Sequence, residues 1–202
     1  MIFTMSRRGL LAAGLLGLAS VAALGQQTVR VRGTIDAVDG QTLSIKSKEG
    51  PTLKVVLADN AVILGIVKRT LADIKPGVFI GTAAMPQDDG TLGAMEVHIF
   101  PENMRGQGEG HRDWDVPGAS MTNATVTDAV SKVEGNTLTL NYKGGEQKVV
   151  VKPSTPIVAY VPGDKGDLKP GHGIFIAGAT RAEDGTLRAA RVSVQRDTPP
   201  PM

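Results

Sequence analysis

The segment 95–115 combines side chains that could bind a metal ion. Glu96 and His98 lie two residues apart in a stretch of alternating polarity, so on a strand both would project to the same face. His111 follows a loop with three glycines, which could fold back toward that strand. Imidazole and carboxylate ligands would suit a divalent transition metal such as zinc, copper(II) or nickel. Glu96, His98 and His111 are therefore the candidate metal ligands.

The spacing of these residues matches no known zinc signature, which leaves a second interpretation open. Polar linkers carry acidic residues and histidines simply for solubility. In that case Glu96, His98, Arg105 and Arg112 would form ion pairs and hydrogen bonds that dock the segment onto a neighbouring barrel.

The same segment could form a surface for a ligand or a protein partner. Its candidate residues are aromatic or charged: Phe100, Glu102, Arg105, Arg112, Asp113 and Trp114. Trp114 could be a platform on which a base or a sugar stacks. It could equally anchor the linker by burying its ring.

Catalytic signatures are missing from the sequence. There is no cysteine, which excludes disulfides, thiolate metal sites and cysteine nucleophiles. There is no G-x-S-x-G elbow, and no Ser-His-Asp set is singled out by its spacing. We therefore predict a protein that is not an enzyme, with a hydrolase-type enzyme as the less favoured alternative.

The elements that would position these residues follow an internal repeat. "VDGQTLSI" (38–45) aligns with "VEGNTLTL" (133–140), and "DGTLGAMEVHI" (89–99) aligns with "DGTLRAARVSV" (184–194). Residues that agree between the copies are expected to serve the fold. Glu96 and His98 are instead replaced by Arg191 and Ser193 in the second copy, so these positions are free to serve function.

Alternating polarity and Gly-containing turns predict five strands in each repeat. In the first repeat they cover about 29–38, 42–47, 52–57, 78–84 and 92–100. A short helical turn is expected between the third and fourth strands there, and a loop in the second repeat. Five strands with this insertion outline an OB-like barrel. The predicted fold is all-β, with two tandem five-stranded OB-like small barrels joined by a Gly-rich polar linker.

The domain boundaries follow from these patterns. They predict a signal peptide over 1–25, a first β-barrel repeat over 26–100, a Gly-rich linker over 101–123, a second β-barrel repeat over 124–197 and a disordered tail over 198–202.

The repeated motifs "V-[DE]-G-x-T-L-[ST]-[IL]" and "D-[IL]-K-P-G" resemble those of a bacterial family of exported small β-barrel proteins. That family is labelled a domain of unknown function. The resemblance covers nearly all of the chain after residue 25, and it implies a fold and export rather than an activity.

The first 25 residues predict export. A basic start at Arg7 and Arg8 precedes an apolar run that ends at small residues, which is the layout of a secretory signal. The paired arginines resemble a twin-arginine motif, and the general secretory route remains the alternative. An uncleaved membrane anchor is a third interpretation. We expect a periplasmic or secreted bacterial protein, and no later stretch is apolar enough to span a membrane.

The charge balance bears on the class of partner. The chain has 22 basic and 20 acidic residues, and removing Arg7 and Arg8 with the signal leaves the two signs equal. A nucleic-acid partner is therefore not expected. We predict a non-catalytic binding or structural module of the cell envelope. Its partner would be an unknown envelope protein or a small ligand held by the linker and the last strand of the first barrel. A periplasmic metal-binding protein is the alternative.

Overall fold

The structure, a computed structural model, describes residues 28–48, 50–132, 135–198 and 200. The predicted signal peptide over 1–25 lies outside the described residues, as does most of the predicted tail over 198–202. The all-β prediction is confirmed. The strands are β1 (Thr28–Asp39), β2 (Thr42–Ser47), β3 (Thr52–Lys68), β4 (Phe79–Pro86), β5 (Leu92–Ile99), β6 (Gly110–Asp113), β7 (Ser120–Lys132), β8 (Gly135–Tyr142), β9 (Gly145–Val151), β10 (Ile157–Pro162), β11 (Gly173–Arg181) and β12 (Leu187–Gln195).

Alternating polarity explains why these segments form strands. In β2, Leu43 and Ile45 are fully buried, and the residues beside them are not. In β8, Leu138 and Leu140 are fully buried in the same alternation. A strand places successive side chains on opposite faces, so this pattern buries one face of a sheet. The tight turn between β1 and β2 depends on Gly40, whose φ of 57° disfavours other residues.

Five strands close into a barrel. β1 pairs with β2 and β2 with β3, both antiparallel. β3 then pairs in parallel with β12, β12 pairs with β11, and β11 returns to β1. The ring leaves no open sheet edge. We call these five strands the outer barrel; fully buried residues of its core include Ile35, Leu43, Ile45, Val55, Ile176, Val192 and Val194.

A second closed ring of paired strands is formed by the part of the chain between β3 and β11. β4 pairs with β5 and with β7, and β7, β8 and β9 form a meander. β9 and β5 close the ring in parallel through Leu92 with Val149 and Gly93 with Val150. We call it the inner ring, because its strands lie in the chain between β3 and β11 of the outer barrel. Its separate core includes Ile80, Val97, Ala124, Val126, Leu138 and Leu140.

The prediction that each repeat forms its own barrel in tandem is not confirmed. The outer barrel takes β1, β2 and β3 from the first repeat and β11 and β12 from the second. The physical reason is the length of β3, which was expected to end near residue 57 but runs on to Lys68. Residues 62–66 of this extension pair in parallel with residues 191–195 of β12, so the last strand of the second repeat is held where the last strand of the first repeat was expected.

The two rings meet at β10. β10 pairs antiparallel with the extension of β3, where Tyr160 opposes Ile66, and in parallel with β5, where Val158 opposes His98. A third small core lies here, formed by Leu64, Ile66, Met104, Val158 and Tyr160 with Phe100 against it. The junction therefore has its own buried side chains, and it positions the residues described below.

The connecting segments contain more structure than predicted. The helical turn expected in the first repeat is present at Leu71–Asp73, and a similar turn at Lys165–Asp167 lies where only a loop was predicted, beside β10. The linker over 101–123 contains a turn at Glu102–Met104 and the whole of β6, which pairs with β7. Within the described part of the chain, no helix has the length and apolar character needed to cross a membrane.

Candidate functional site

Glu96 and His98 lie side by side on β5, as the sequence predicted for residues two apart on a strand. Glu96 Oε1 is 2.5 Å from His98 Nε2, and each residue is only 5% exposed. Their face of the strand was expected to be the outer one. It is buried because the rings of Phe100 and Tyr160 pack against His98 on that side of β5.

Three aromatic side chains continue from His98 across the junction between the outer barrel and the inner ring. The His98 ring meets Tyr160 edge-on at 6.1 Å between centroids. Tyr160 lies 5.4 Å from Phe100, and Phe100 lies 5.5 Å from Phe79. Such tilted and edge-on contacts add to the stabilisation from burying the rings. Burial raises the pKa of Tyr160, and the negative charge of Glu96 raises it further, so its hydroxyl group stays protonated.

His111 does not join Glu96 and His98. It lies on β6, where its Nδ1 is 2.8 Å from Thr122 Oγ1 and its ring stacks on Tyr142. Among the residues that the structure describes, no three His, Cys, Asp or Glu side chains form a group that could hold a metal ion. The candidate ligands are thus not assembled here, and metal binding stays a prediction.

Trp114 lies against two arginines of β1. The guanidinium carbon of Arg30 is 4.5 Å from the centroid of the indole ring, and that of Arg32 is 5.7 Å away. Asp115 accepts hydrogen bonds from both arginines, at 2.8 Å from Arg32. Cation–π and ion-pair contacts therefore join the end of the linker to the outer barrel.

Arg105 and Glu102 join the beginning of the linker to the inner ring. Arg105 Nε donates to Glu102 Oε1 at 2.6 Å, and Arg105 Nη2 donates to the carbonyl oxygen of Gly77 at 2.9 Å. The hydrogen bond from Arg105 lowers the pKa of Glu102. Arg105 therefore makes the kind of contacts expected of a residue that docks the linker onto a barrel. Asp113 is exposed, and its backbone pairs with Ser120.

Between the linker and the two rings lies a cleft of about 250 Å³. We call it the inter-ring cleft. Its aromatic and apolar walls come from Leu64, Phe100, Met104, Trp114, Met121, Tyr160, Phe175 and Ala177. Its polar groups come from Arg30, His98, Gln107, Gly108, Arg112, Asn123, Arg191 and Ser193.

The charge of the cleft is one-sided. Arg30, Arg112 and Arg191 line it, and none of the aspartates and glutamates that the structure describes does. Arg112 Nη1 donates to the carbonyl oxygen of Gly108 at 2.8 Å, and Arg191 Nη1 donates to Gln107 Oε1 at 2.5 Å. Burial lowers the pKa of Arg112, and the positive charge of Arg30 lowers it further. Like charges therefore meet at this cleft.

The structure brings some predicted residues together and adds others. Phe100, Arg112, Trp114 and His98 line the cleft, whereas the side chains of Glu102 and Asp113 do not. Sequence reasoning identified Arg191 and Ser193 only as replacements in the second repeat, and both line the cleft.

Arg30, Arg32 and Tyr160 were missed as functional residues. Arg30 and Arg32 carried a usable signal, because two arginines two residues apart share one face of a strand. Tyr160 carried no such signal, because its segment was predicted to be a loop.

Comparison with known proteins gave no match to a protein family, to a curated protein or to a solved structure.

Proposed function

We propose that the protein is a non-catalytic binding module that holds a small ligand in the inter-ring cleft. The observation that supports it is the composition of the cleft, in which aromatic and apolar walls surround a few convergent polar groups. Sites for small molecules commonly have this composition, and they occur at junctions between structural units. At about 250 Å³ the cleft is smaller than the roughly 300–1,000 Å³ typical of pockets for drug-sized ligands, so the ligand is small.

The linker completes this site in the proposal. Gln107, Gly108, Arg112 and Trp114 contribute one wall, and the strands of the two rings contribute the others. The linker is also tied at both ends, by Arg105 to the inner ring and by Asp115 to the outer barrel. This attachment would preorganise the wall and reduce the entropy lost on binding.

The proposed location and fold of the protein follow from the sequence patterns. The protein would act in the bacterial cell envelope after export, and its two repeats would each correspond to an OB-like barrel. In this proposal the repeats have exchanged their last two strands, and the cleft lies where the exchanged parts meet. A nucleic-acid partner is not proposed, because basic and acidic residues balance after residue 25.

A binding screen with a blocked variant tests this proposal. Trp114 is the only tryptophan and lines the cleft, so its fluorescence reports on occupancy. The purified protein would be titrated with a panel of small anionic, neutral and cationic compounds. Ala177 is exposed at the cleft, so Ala177→Phe should fill it and abolish binding of every hit.

The matched control is Ala58→Phe, which alters an exposed alanine on β3 that does not line the cleft. This variant should bind the hits as the wild type does. The proposal fails if no compound in the panel binds, or if every hit still binds Ala177→Phe with unchanged affinity.

A further inference from the structure

The arginines around the inter-ring cleft fall into two groups. Arg30 and Arg32 share the carboxylate of Asp115, which balances part of their charge. Arg112 and Arg191 have no carboxylate partner among the described residues, and their contacts are to uncharged oxygens. Arginine forms its strongest hydrogen bonds with carboxylate and phosphate groups, so these two guanidinium groups retain donors for an anion.

Three glutamates near the cleft in sequence have contacts elsewhere. Glu96 is 2.5 Å from His98 Nε2 and does not line the cleft. Glu109 accepts a hydrogen bond from the backbone nitrogen of Lys143 at 3.0 Å. Glu102 holds Arg105. Asp115 is paired with Arg30 and Arg32, and the exposed Asp113 forms no ion pair with either arginine, so no acid of the linker balances Arg112 or Arg191.

The walls indicate what the rest of the ligand is like. Phe100, Trp114, Tyr160 and Phe175 surround the space into which Arg112 and Arg191 face. A flat apolar group would be favoured among these rings, since stacked and edge-on contacts add to burial. A bare inorganic anion would leave those walls in contact with water.

We propose that the inter-ring cleft binds a small aromatic carboxylate, with Arg112 and Arg191 holding the carboxylate and the aromatic residues enclosing the ring. This inference rests on the proposed function, because it names the ligand class of the same cleft. It adds that recognition requires a negative charge, which a general apolar cleft would not require.

Paired probes of the same shape test the charge requirement without any mutation. Benzoate and benzamide differ mainly in charge, and each would be titrated into the purified protein at constant ionic strength. Benzoate should bind, and benzamide should bind at least about tenfold more weakly, as expected when a charge-assisted hydrogen bond is lost. Inorganic phosphate should not displace benzoate at comparable concentrations.

Substitutions then assign the contact to the two arginines. Arg112→Gln and Arg191→Gln should each weaken benzoate binding by about tenfold and leave benzamide binding unchanged. The matched control is Arg188→Gln, which removes an exposed arginine of β12 that does not line the cleft. If a glutamine variant does not fold, Arg112→Lys and Arg191→Lys keep the charge, lose the forked donor geometry and should still bind benzoate less tightly.

The outcomes separate this inference from the proposed function. If benzamide binds as tightly as benzoate and Ala177→Phe blocks both, the cleft binds ligands but the charge requirement is wrong. The inference is also overturned if phosphate competes as well as benzoate does, or if neither arginine substitution weakens benzoate. If no compound of any charge binds in a way that Ala177→Phe abolishes, the proposed function itself fails.

Discussion

Strands β5 and β12 occupy equivalent positions in the two repeats, and on one face they are alike. Leu92 and Val97 of β5 are buried in the core of the inner ring, and Leu187 and Val192 of β12 are buried in the core of the outer barrel. Their parallel partners also correspond, since Leu92 pairs with Val149 and Leu187 pairs with Val55. This face of each strand is therefore determined by packing.

On the other face the two strands differ. Glu96 and His98 form a buried polar pair, whereas Arg191 and Ser193 at the same repeat positions reach the inter-ring cleft as separate groups. His98 lines the same cleft, so the two strands contribute unlike side chains to one space. Two strands whose sequences align can thus contribute unlike side chains to one site, because only one face of each strand is committed to its core.

The largest loss of stability is expected from substitutions on the core-facing side, where the two strands are alike. Leu92→Ala and Leu187→Ala should each lower the free energy of unfolding by about 2–5 kcal/mol, because both remove a buried side chain and leave a cavity. Urea denaturation would measure both. A loss confined to one variant would break the equivalence of the two strands.

Smaller and unequal losses of stability are expected from substitutions on the other face, where β5 and β12 differ. Glu96→Ala should lower the free energy of unfolding by about 1–3 kcal/mol, because it leaves His98 Nε2 buried without its partner. Arg191→Ala should change stability little, because that residue is exposed. Equal losses in the same denaturation measurement would contradict the asymmetry described above.

Trp114→Ala tests how much the contact between the linker and β1 contributes to stability. Its ring is half-buried and contacts Arg30 and Arg32, so its removal should cost about 1–2 kcal/mol with no ligand present. Thermal and urea unfolding would detect this loss. An unchanged unfolding curve would mean that Trp114 serves only the ligand.

The two helical turns provide a comparison that depends on pH. Asp73 accepts hydrogen bonds from Thr70, and Asp167, at the equivalent position, is also held by Arg196 at 2.8 Å. In the folded protein the pKa of both carboxyl groups lies below the ordinary value of 3.8; for Asp167 the hydrogen bond from Arg196 is the largest cause. A lowered pKa adds stability that is present above the ordinary value and is lost as pH falls through the folded one.

Replacing these aspartates should therefore flatten the acid dependence of stability, more so for Asp167→Asn than for Asp73→Asn. Unfolding measured from neutral pH down to pH values below 3.8 would show the difference. The expectation is contradicted if Asp73→Asn has the larger effect, because Arg196 would then add nothing.

The sequence predicted strands such as β1 and β2 well because their signals are local. Alternation at Leu43 and Ile45 and the turn at Gly40 depend on neighbours in the chain, and these elements lie where they were predicted. The choice of strand partners is not local. Both repeats carry the same motif before their last strand, so nothing in the sequence decided whether β3 would close with β5 or with β12.

The candidate site was predictable only in part for the same reason. Phe100, Arg112 and Trp114 belong to one segment, and their aromatic and charged character identified them. Tyr160 and Arg191 are far away in sequence. Arg191 reaches the cleft through the pairing of β12 with β3, and Tyr160 reaches it through the pairing of β10 with β3 and β5. Pairing His98 with Glu96 was predictable from their spacing, but burial of the pair required knowledge of β10.

The parallel pairing of β3 with β12 has a consequence for the order of assembly during synthesis. The inner ring uses strands that lie between residues 79 and 151, so all of them are synthesised before the last quarter of the chain is made. The outer barrel must wait for β12, which ends at Gln195. The first three strands are made earliest and are completed last. Until then β1 and β3 lack the neighbours, β11 and β12, that close their barrel.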